Sequence, residues 1–368
     1  MPLSTTNIKQ RLFHQFFPPP EFLEMLAVGL DISDTGVTAL ELVRHKGAFA
    51  VGRFGRRALP RGSISGGYIQ DHDAVVGELR ALKESLKLDF VNASISEEKA
   101  YLFKVEIPVV SPKEVRGVLE FKLEENVPIP VSDAVFDYTV IPVRGHEAKK
   151  HMDVAVTVLP QKVVETYSQL LSDVGLIPLS FEIEAQAICR AVVSRGNVGT
   201  YLLVNLGEEK TGLFIVSDEV VHFTSTVGIG GTHITEAIAK YLSVSKEEAE
   251  KLKREHTAFK DKKNMDLFLS LMNAISALKD EINKLSIYWQ THQEPAGRPT
   301  AIQKIILCGR DASFTGLTDY LALALKTTVE VGNVWQNAFS LDDTIPPVSF
   351  DESLEYAAAI GLALPKGH

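Results

Sequence analysis

Apolar residues fall in short runs separated by polar turns, and the runs recur in the same order twice. Residues 27–32 form one run, ending in the turn Ser33-Asp34-Thr35-Gly36. Runs at 37–43 and about 49–54 follow, divided by His45-Lys46-Gly47. Short apolar runs joined by Ser/Asp/Gly turns predict an antiparallel meander. Residues 73–86 place Val76, Leu79, Leu82 and Leu86 on one face and predict a helix. Extended segments follow over 91–108. Pro112 after Ser111, with Glu114 in the first turn, marks a helix start. That helix carries Leu119 and Leu123 and breaks at Pro128 and Pro130. Strands at 135–143 and 153–159, and a helix at 163–174 stopped by Gly175, complete a separate lobe over 91–177.

The opening order then returns. An apolar strand at 201–207 runs into a polar turn, strands at 211–216 and 220–224 follow, and a helix spans 232–241. This is an internal duplication in pattern, though not in strict sequence. A charged helix covers 247–255. Leu271, Ile275, Leu278, Ile282, Leu285 and Trp289 make a stripe of steps of four and three, read as a long helix packed on a core. A buried strand at 305–307 leads into Cys308-Gly309-Arg310-Asp311, and an apolar helix spans 354–364. Residues 1–25 stand apart. Ile8, Leu12, Phe13, Phe16 and Phe17 share a helical face beside Lys9 and Arg11, and Pro18, Pro19 and Pro20 stop the helix. That helix either packs on its own domain or rests on a membrane or a partner.

Composition narrows the class. The 368 residues are 45% hydrophobic and 23% charged, as in a globular chain of several domains, which excludes a disordered chain, a collagen and a rod. Two distant cysteines, Cys189 and Cys308, point to a reduced, intracellular home. The longest apolar run, 356–365, is about half the ~20 residues of a membrane span, and no signal-peptide pattern opens the chain. A net charge of −9 argues against sequence-independent nucleic-acid binding. Arg44, Lys46, Arg53, Arg56, Arg57 and Arg61 nevertheless follow one another with no acid between them. They read as a solvated hairpin edge or as a contact for an anionic surface.

Zinc-ligand spacings and the motifs GxSxG, GxxxxGK[ST] and HExxH are missing. What remains is a pair of turns. Asp31, Ser33, Asp34, Thr35 and Gly36 follow the first buried strand; Asn205, Gly207, Lys210 and Thr211 follow its counterpart. Such turns offer concave arrays of N–H groups that bind phosphate oxygens. An acid at the strand end, Asp31, can hold Mg²⁺ through water. Two facing turns would grip a polyphosphate from both sides.

These residues resemble the actin-like ATPases, and within them the PilM family of type IV pilus assembly. Residues 29–42 resemble the first phosphate loop, and 203–207 with Lys210 and Thr211 the second. Residues 125–130, 136–138, Gly230-Gly231-Thr232, 248–253 and the closing 359–364 complete the resemblance, which spans about 26–364. It implies an α/β, duplicated ribonuclease H-like fold of two lobes around a nucleotide cleft. Subdomain 1A would hold 26–90, 178–198 and 346–368; an inserted subdomain of the FtsA/PilM 1C type, 91–177; subdomain 2A, 199–230 and 301–345; subdomain 2B, 231–300. Mg-ATP would sit between the loops, with Gly309 at the adenine-side turn and Glu250 and Lys253 near ribose and adenine. Glu184, on the connecting helix, would be the water-orienting group.

The chain departs from the family pattern in this cleft. Ser33 stands where Gly is frequent, Thr38 where Lys is common, Asn205 where the second loop has Asp, and Arg310 at the second Gly of the adenine-side turn. The departures imply weak or absent turnover. The expected role is therefore a cytoplasmic scaffold, peripheral on the inner membrane. It would bind the N-terminal cytoplasmic peptide of a PilN-like bitopic protein in a groove between the first lobe and the insertion. Other pilus assembly components and self-association are further expected contacts. ATP would act as a conformational ligand. The alternatives are an active ATPase or sugar kinase of the same fold, an FtsA-like filament former, and a scaffold similar to the type II secretion L protein.

Overall fold

The computed structural model describes residues 27–45, 48–141, 151–254, 265–291, 301–314 and 316–366. The helix expected within 1–25 lies outside them. The first apolar runs form β1 (Val28–Ile32), β2 (Gly36–His45) and β3 (Ala48–Ala58). Every residue of β1 is buried, as a strand paired on both edges requires. The turn after it is closed by Ser33 N–H donating to Gly36 O (2.9 Å). A small hairpin of β4 (Ile64–Ser65) and β5 (Tyr68–Ile69) turns at Gly66 and Gly67, with φ of 55° and 74°. A two-residue turn with positive φ at both positions favours glycine. Helix α1 (His72–Leu86) follows, capped by Asp71, and then β6 (Phe90–Ile95).

The chain next forms β7 (Tyr101–Pro108), α2 (Pro112–Asn126), β8 (Ala134–Val140), β9 (His151–Pro160), α3 (Gln161–Val174), β10 (Ile177–Ile183) and α4 (Glu184–Val192). The helix start read at Ser111 is a capping box: Ser111 N–H donates to Glu114 Oε2 (3.0 Å). Gly175 (φ 73°) ends α3. The second half holds β11 (Thr200–Leu206), β12 (Thr211–Ser217), β13 (Val220–Val227), α5 (Gly231–Leu242), α6 (Lys246–Arg254), α7 (Met265–Thr291), β14 (Lys304–Cys308), α8 (Leu317–Leu325), β15 (Thr328–Val331), α9 (Phe350–Ser353) and α10 (Ala357–Ala363).

The duplication is realised in the sheets. The first has the order β10-β6-β1-β2-β3 and the second β15-β14-β11-β12-β13. In each, an antiparallel meander of three strands continues through its first strand into two parallel strands. The stripe on α7 packs as expected: Leu271, Ile275, Leu278, Ile282 and Leu285 are buried.

The segment 91–177 divides. β6 pairs with β1 inside the first sheet, and α3 buries Val163, Tyr167, Leu170 and Leu171 in the main core. The intervening β7-β9-β8 sheet and α2 keep a core of their own, built on Ile107, Val115, Leu119, Leu123, Phe136, Val154 and Val156. Strand 135–143 ends at Val140, and residues 142–150 lie outside the described residues.

The basic run lies on the hairpin edge, since β3 is the terminal strand of its sheet and pairs only with β2, but its arginines are not a free cationic patch. Strand β3 extends to Ala58, and its arginines meet acids: Arg53 meets Glu41 of the paired strand β2 (2.7 Å), while Arg56 meets Glu355 (2.9 Å) and Arg57 meets Glu78 (3.1 Å). Arg61 meets Glu209 at 3.5 Å, and Arg44 lies over the Phe49 ring. Glu41 belongs to the same hairpin, but Glu78, Glu209 and Glu355 come from tertiary neighbours that a local window of sequence does not show.

Candidate functional site

Five parallel or central strands end at one cleft. It is lined by Asp31 to Thr35 after β1, Ser96 to Glu98 after β6, Glu184 after β10, Asn205 with Gly207 to Lys210 after β11, and Gly309 and Arg310 after β14. Ligands of open α/β sheets bind at such carboxyl ends, where strand-end backbone groups and helix N-termini converge. The cavity between the ends is about 120 Å³.

Its floor is acidic. Ser94 Oγ donates to Asp31 Oδ1 (2.7 Å) and accepts from Ile32 N–H (2.8 Å), fixing the Asp31 carboxylate. Burial raises Asp31 to about 6, against the pull of Ser94 and of Arg56. Burial raises Glu97 to about 7, with the charges of Glu98 and Asp31 adding to it. Glu97 Oε1 accepts from Thr226 Oγ1 (3.3 Å), while Oε2 has no hydrogen-bond partner. Glu184 is pushed well above the usual carboxylate range, first by burial and then by Asp31 and Glu97. Asn205 Nδ2 donates to Glu184 Oε1 at 2.6 Å. An amide is thus compatible with this carboxyl group, where an aspartate would add a fourth acid.

The cations of the cleft are committed to carboxylates. Lys210 Nζ lies 2.6 Å from Asp34 Oδ2 and 2.8 Å from Glu98 Oε1. Arg310 pairs with Glu208 (2.9 Å) and Glu250 (3.3 Å) and stands 3.9 Å from Glu355, which also holds Arg56.

A second cavity of about 270 Å³ adjoins, lined by Lys253, Arg310, Asp311, Ser313, Phe314, Ser349, Asp351, Glu352 and Glu355. Arg310 and Glu355 line both cavities. Lys253 is only 3% exposed, held by Asp311 (2.7 Å), Glu250 (2.9 Å) and Gly231 O (3.3 Å). Gly309, at φ 89°, lets the chain pass Leu206 and Asn205: a Cβ there would lie 2.6 Å from Asn205 Oδ1.

Of the residues expected at the site, Asp31, Ser33, Asp34, Thr35, Glu184, Asn205, Gly207, Lys210 and Gly309 line the cavity at the strand ends, and Lys253 lines its neighbour. The others support them. Thr211 is fully buried and donates to Ile229 O. Gly36 closes the first turn. Glu250 bridges Arg310, Lys253 and the Thr235 hydroxyl. At the start of α5, Gly230 N–H donates to His233 Nδ1 (3.2 Å), Gly231 N–H to Gly207 O (2.9 Å) and Thr232 N–H to Glu208 O (2.8 Å). The last two of these amides anchor the second hairpin, and the first caps the helix on its own His233.

Sequence reasoning missed Glu97, Glu98, Arg56, Glu208 and Glu355. One signal was available: Glu97 and Glu98 follow an apolar strand as Asp31 ends another. The donor set fits a hydrated dication, since Asp31, Glu97 and Glu184 crowd charge into a buried floor that a cation would neutralise. Among the described residues there is no group of three or more His, Cys, Asp or Glu that could hold a metal ion directly. Arg310 lines both cavities and is held there by Glu208 and Glu250.

The fold has solved relatives. The PilM-PilN type IV pilus biogenesis complex superposes with a TM-score of 0.72 at 20% identity, over 92% of this chain and 98% of that one. The ethanolamine utilization protein EutJ from Carboxydothermus hydrogenoformans gives 0.54 at 14%, over 94% and 90%. MreB5 of Spiroplasma citri bound to AMPPNP gives 0.51 at 12%, over 91% and 93%. All share the two-lobed actin-like architecture described above. A family profile described as type IV pilus assembly protein PilM matches residues 29–366, and with that match over nearly the whole chain, the protein belongs to the PilM family of actin-like type IV pilus assembly proteins.

Proposed function

We propose that the protein is a cytoplasmic scaffold, peripheral on the inner membrane, that captures the N-terminal peptide of a PilN-like bitopic protein. The observation that carries this reading is the PilM family match across residues 29–366. The separately cored insertion, β7 to β9 with α2, supports it by offering a second body beside the first lobe, against which an extended peptide could lodge. No described helix is long and apolar enough to cross a membrane, so membrane recruitment in this reading comes from a partner. The test is calorimetry of the full chain with a synthetic PilN-like cytoplasmic peptide. Saturable binding that a charge-reversing scramble of the peptide abolishes is the expected result; no binding would remove the reading.

In this reading nucleotide is a conformational ligand with little or no turnover. Asp31→Ala should abolish Mg²⁺-dependent ATP binding, because it removes the carboxylate that Ser94 positions at the end of β1. Unchanged affinity by calorimetry would sink the assignment. Asn205→Asp with Arg310→Gly should tighten ATP binding by ~1–3 kcal/mol, by returning a charge-assisted contact and clearing a side chain that lines both cavities. An equal or weaker affinity would show that the cleft is lost for other reasons.

A further inference from the structure

Every cation that lines the cavity at the strand ends is held by carboxylates, and several of these pairs cross from one lobe to the other. Lys210 belongs to the turn between β11 and β12 in the second lobe. Its partners Asp34 and Glu98 follow β1 and β6 in the first. Glu209, on the same second-lobe turn, meets Arg61, which follows β3. Arg310, after β14, stands 3.9 Å from Glu355 of the closing segment, and Glu355 is held in turn by Arg56 of β3. Thr226 of β13 adds a hydrogen bond to Glu97 of the first lobe.

We infer that Lys210 and Arg310 act as built-in counter-ions that hold the two lobes closed, so that closure needs no nucleotide. The inference rests on the scaffold reading of the cleft and concerns how that cleft is regulated. The geometry favours it over an incidental surface pair. Lys210 bridges two carboxylates at once, at 2.6 and 2.8 Å, and is about one-third exposed. Partial burial works against its charge, yet the two carboxylates hold its pKa above the ordinary lysine value. Without Lys210, Asp34 and Glu98 would face Glu208 and Glu209 across the same cavity with like charge. The same side chains that join the lobes therefore fill the positions where a polyphosphate would need free cations. An anion that enters must break the Lys210 bridge before it can use the lysine. Attraction at the ends of the strands thus biases a two-state hinge toward its closed form.

The test is hydrogen exchange of the full chain without nucleotide, read at the two turns, residues 33–36 and 207–211. In the wild type at low salt both turns should exchange slowly. At about 1 M salt, where the screening length falls to about 3 Å, exchange should quicken about fivefold or more. Lys210→Met should show the fast exchange already at low salt and lose most of the salt dependence. Glu98→Gln, which keeps the Asp34 contact, should fall between. Lys284→Met, which removes an exposed pair on α7, should change neither turn. Adding Mg-ATP to the wild type should slow the turns by less than about twofold, because they are already closed. The inference is overturned if Lys210→Met exchanges like the wild type at low salt, or if slow exchange appears only with Mg-ATP. The PilN-like peptide is absent from this experiment, so its outcome is independent of whether the peptide binds.

Discussion

Glu97→Gln is expected to stabilise the protein strongly at pH 8 and hardly at all at pH 4.5. In the folded chain Glu97 keeps its proton to about pH 7, against an ordinary value of 4.5. Between those values the folded state binds more protons than the unfolded state, so stability falls as pH rises. The contribution is fully present below 4.5 and lost as pH climbs through about 7. Its size is on the order of 3 kcal/mol, since a tenfold change in proton affinity is worth about 1.4 kcal/mol. Asp31 acts in the same sense, over a window from 3.8 to about 6. Glutamine keeps an acceptor for Thr226 and removes the charge that burial disfavours. Exposed acids such as Glu114 and Asp173 sit below their ordinary values and bend the wild-type curve the other way at low pH. The informative quantity is therefore the difference in melting temperature between variant and wild type, scanned from about pH 4.5 to 8.5. A difference that does not grow with pH would contradict a buried acid floor.

Gly361→Val should abolish folding at physiological temperature. A Cβ at Gly361 would lie 1.8 Å from Ala187 O, so α10 and α4 touch backbone to backbone. On the other face of α10, a Cβ at Gly29 would lie 1.9 Å from Ala359 O. Arg190 also donates to Gly361 O at 2.6 Å. Backbone cannot swing aside as a side chain can, so the cost exceeds the ~1–3 kcal/mol of ordinary overpacking. Gly117 of α2 is the control. A Cβ there meets nothing within 4 Å, and Gly117→Ala should gain up to ~1 kcal/mol from helix propensity. Chemical denaturation of both variants checks the contrast; a soluble Gly361→Val protein with a wild-type midpoint would contradict the packing described.

Much of the fold is legible in the sequence. The meander of 27–54 and its return at 201–224 rest on apolar runs and turn residues that are adjacent along the chain. The α7 stripe rests on a period, and the α2 start on Ser111, Pro112 and Glu114, whose capping box forms within four residues. The candidate site is half legible. The turns carrying Asp31, Asp34, Asn205 and Lys210 are visible because each directly follows its strand.

The sequence by itself determined the segments, their types and the repetition of their order, because hydrophobic periodicity and turn chemistry act over a few residues. Tertiary structure alone decided which charges meet. The partners of Lys210 lie 176 and 112 residues away, and that of Asn205 lies 21 residues away on the preceding helix. It also decided that β6 leaves the 91–177 segment to pair with β1, since a parallel neighbour is reached only by a crossover. The arginines of β3 stay on an edge strand, and Arg56 and Arg57 find their acids, Glu355 and Glu78, only through the approach of other elements. A charge pair is set by the approach of two elements in space, and no local window of the chain contains both halves.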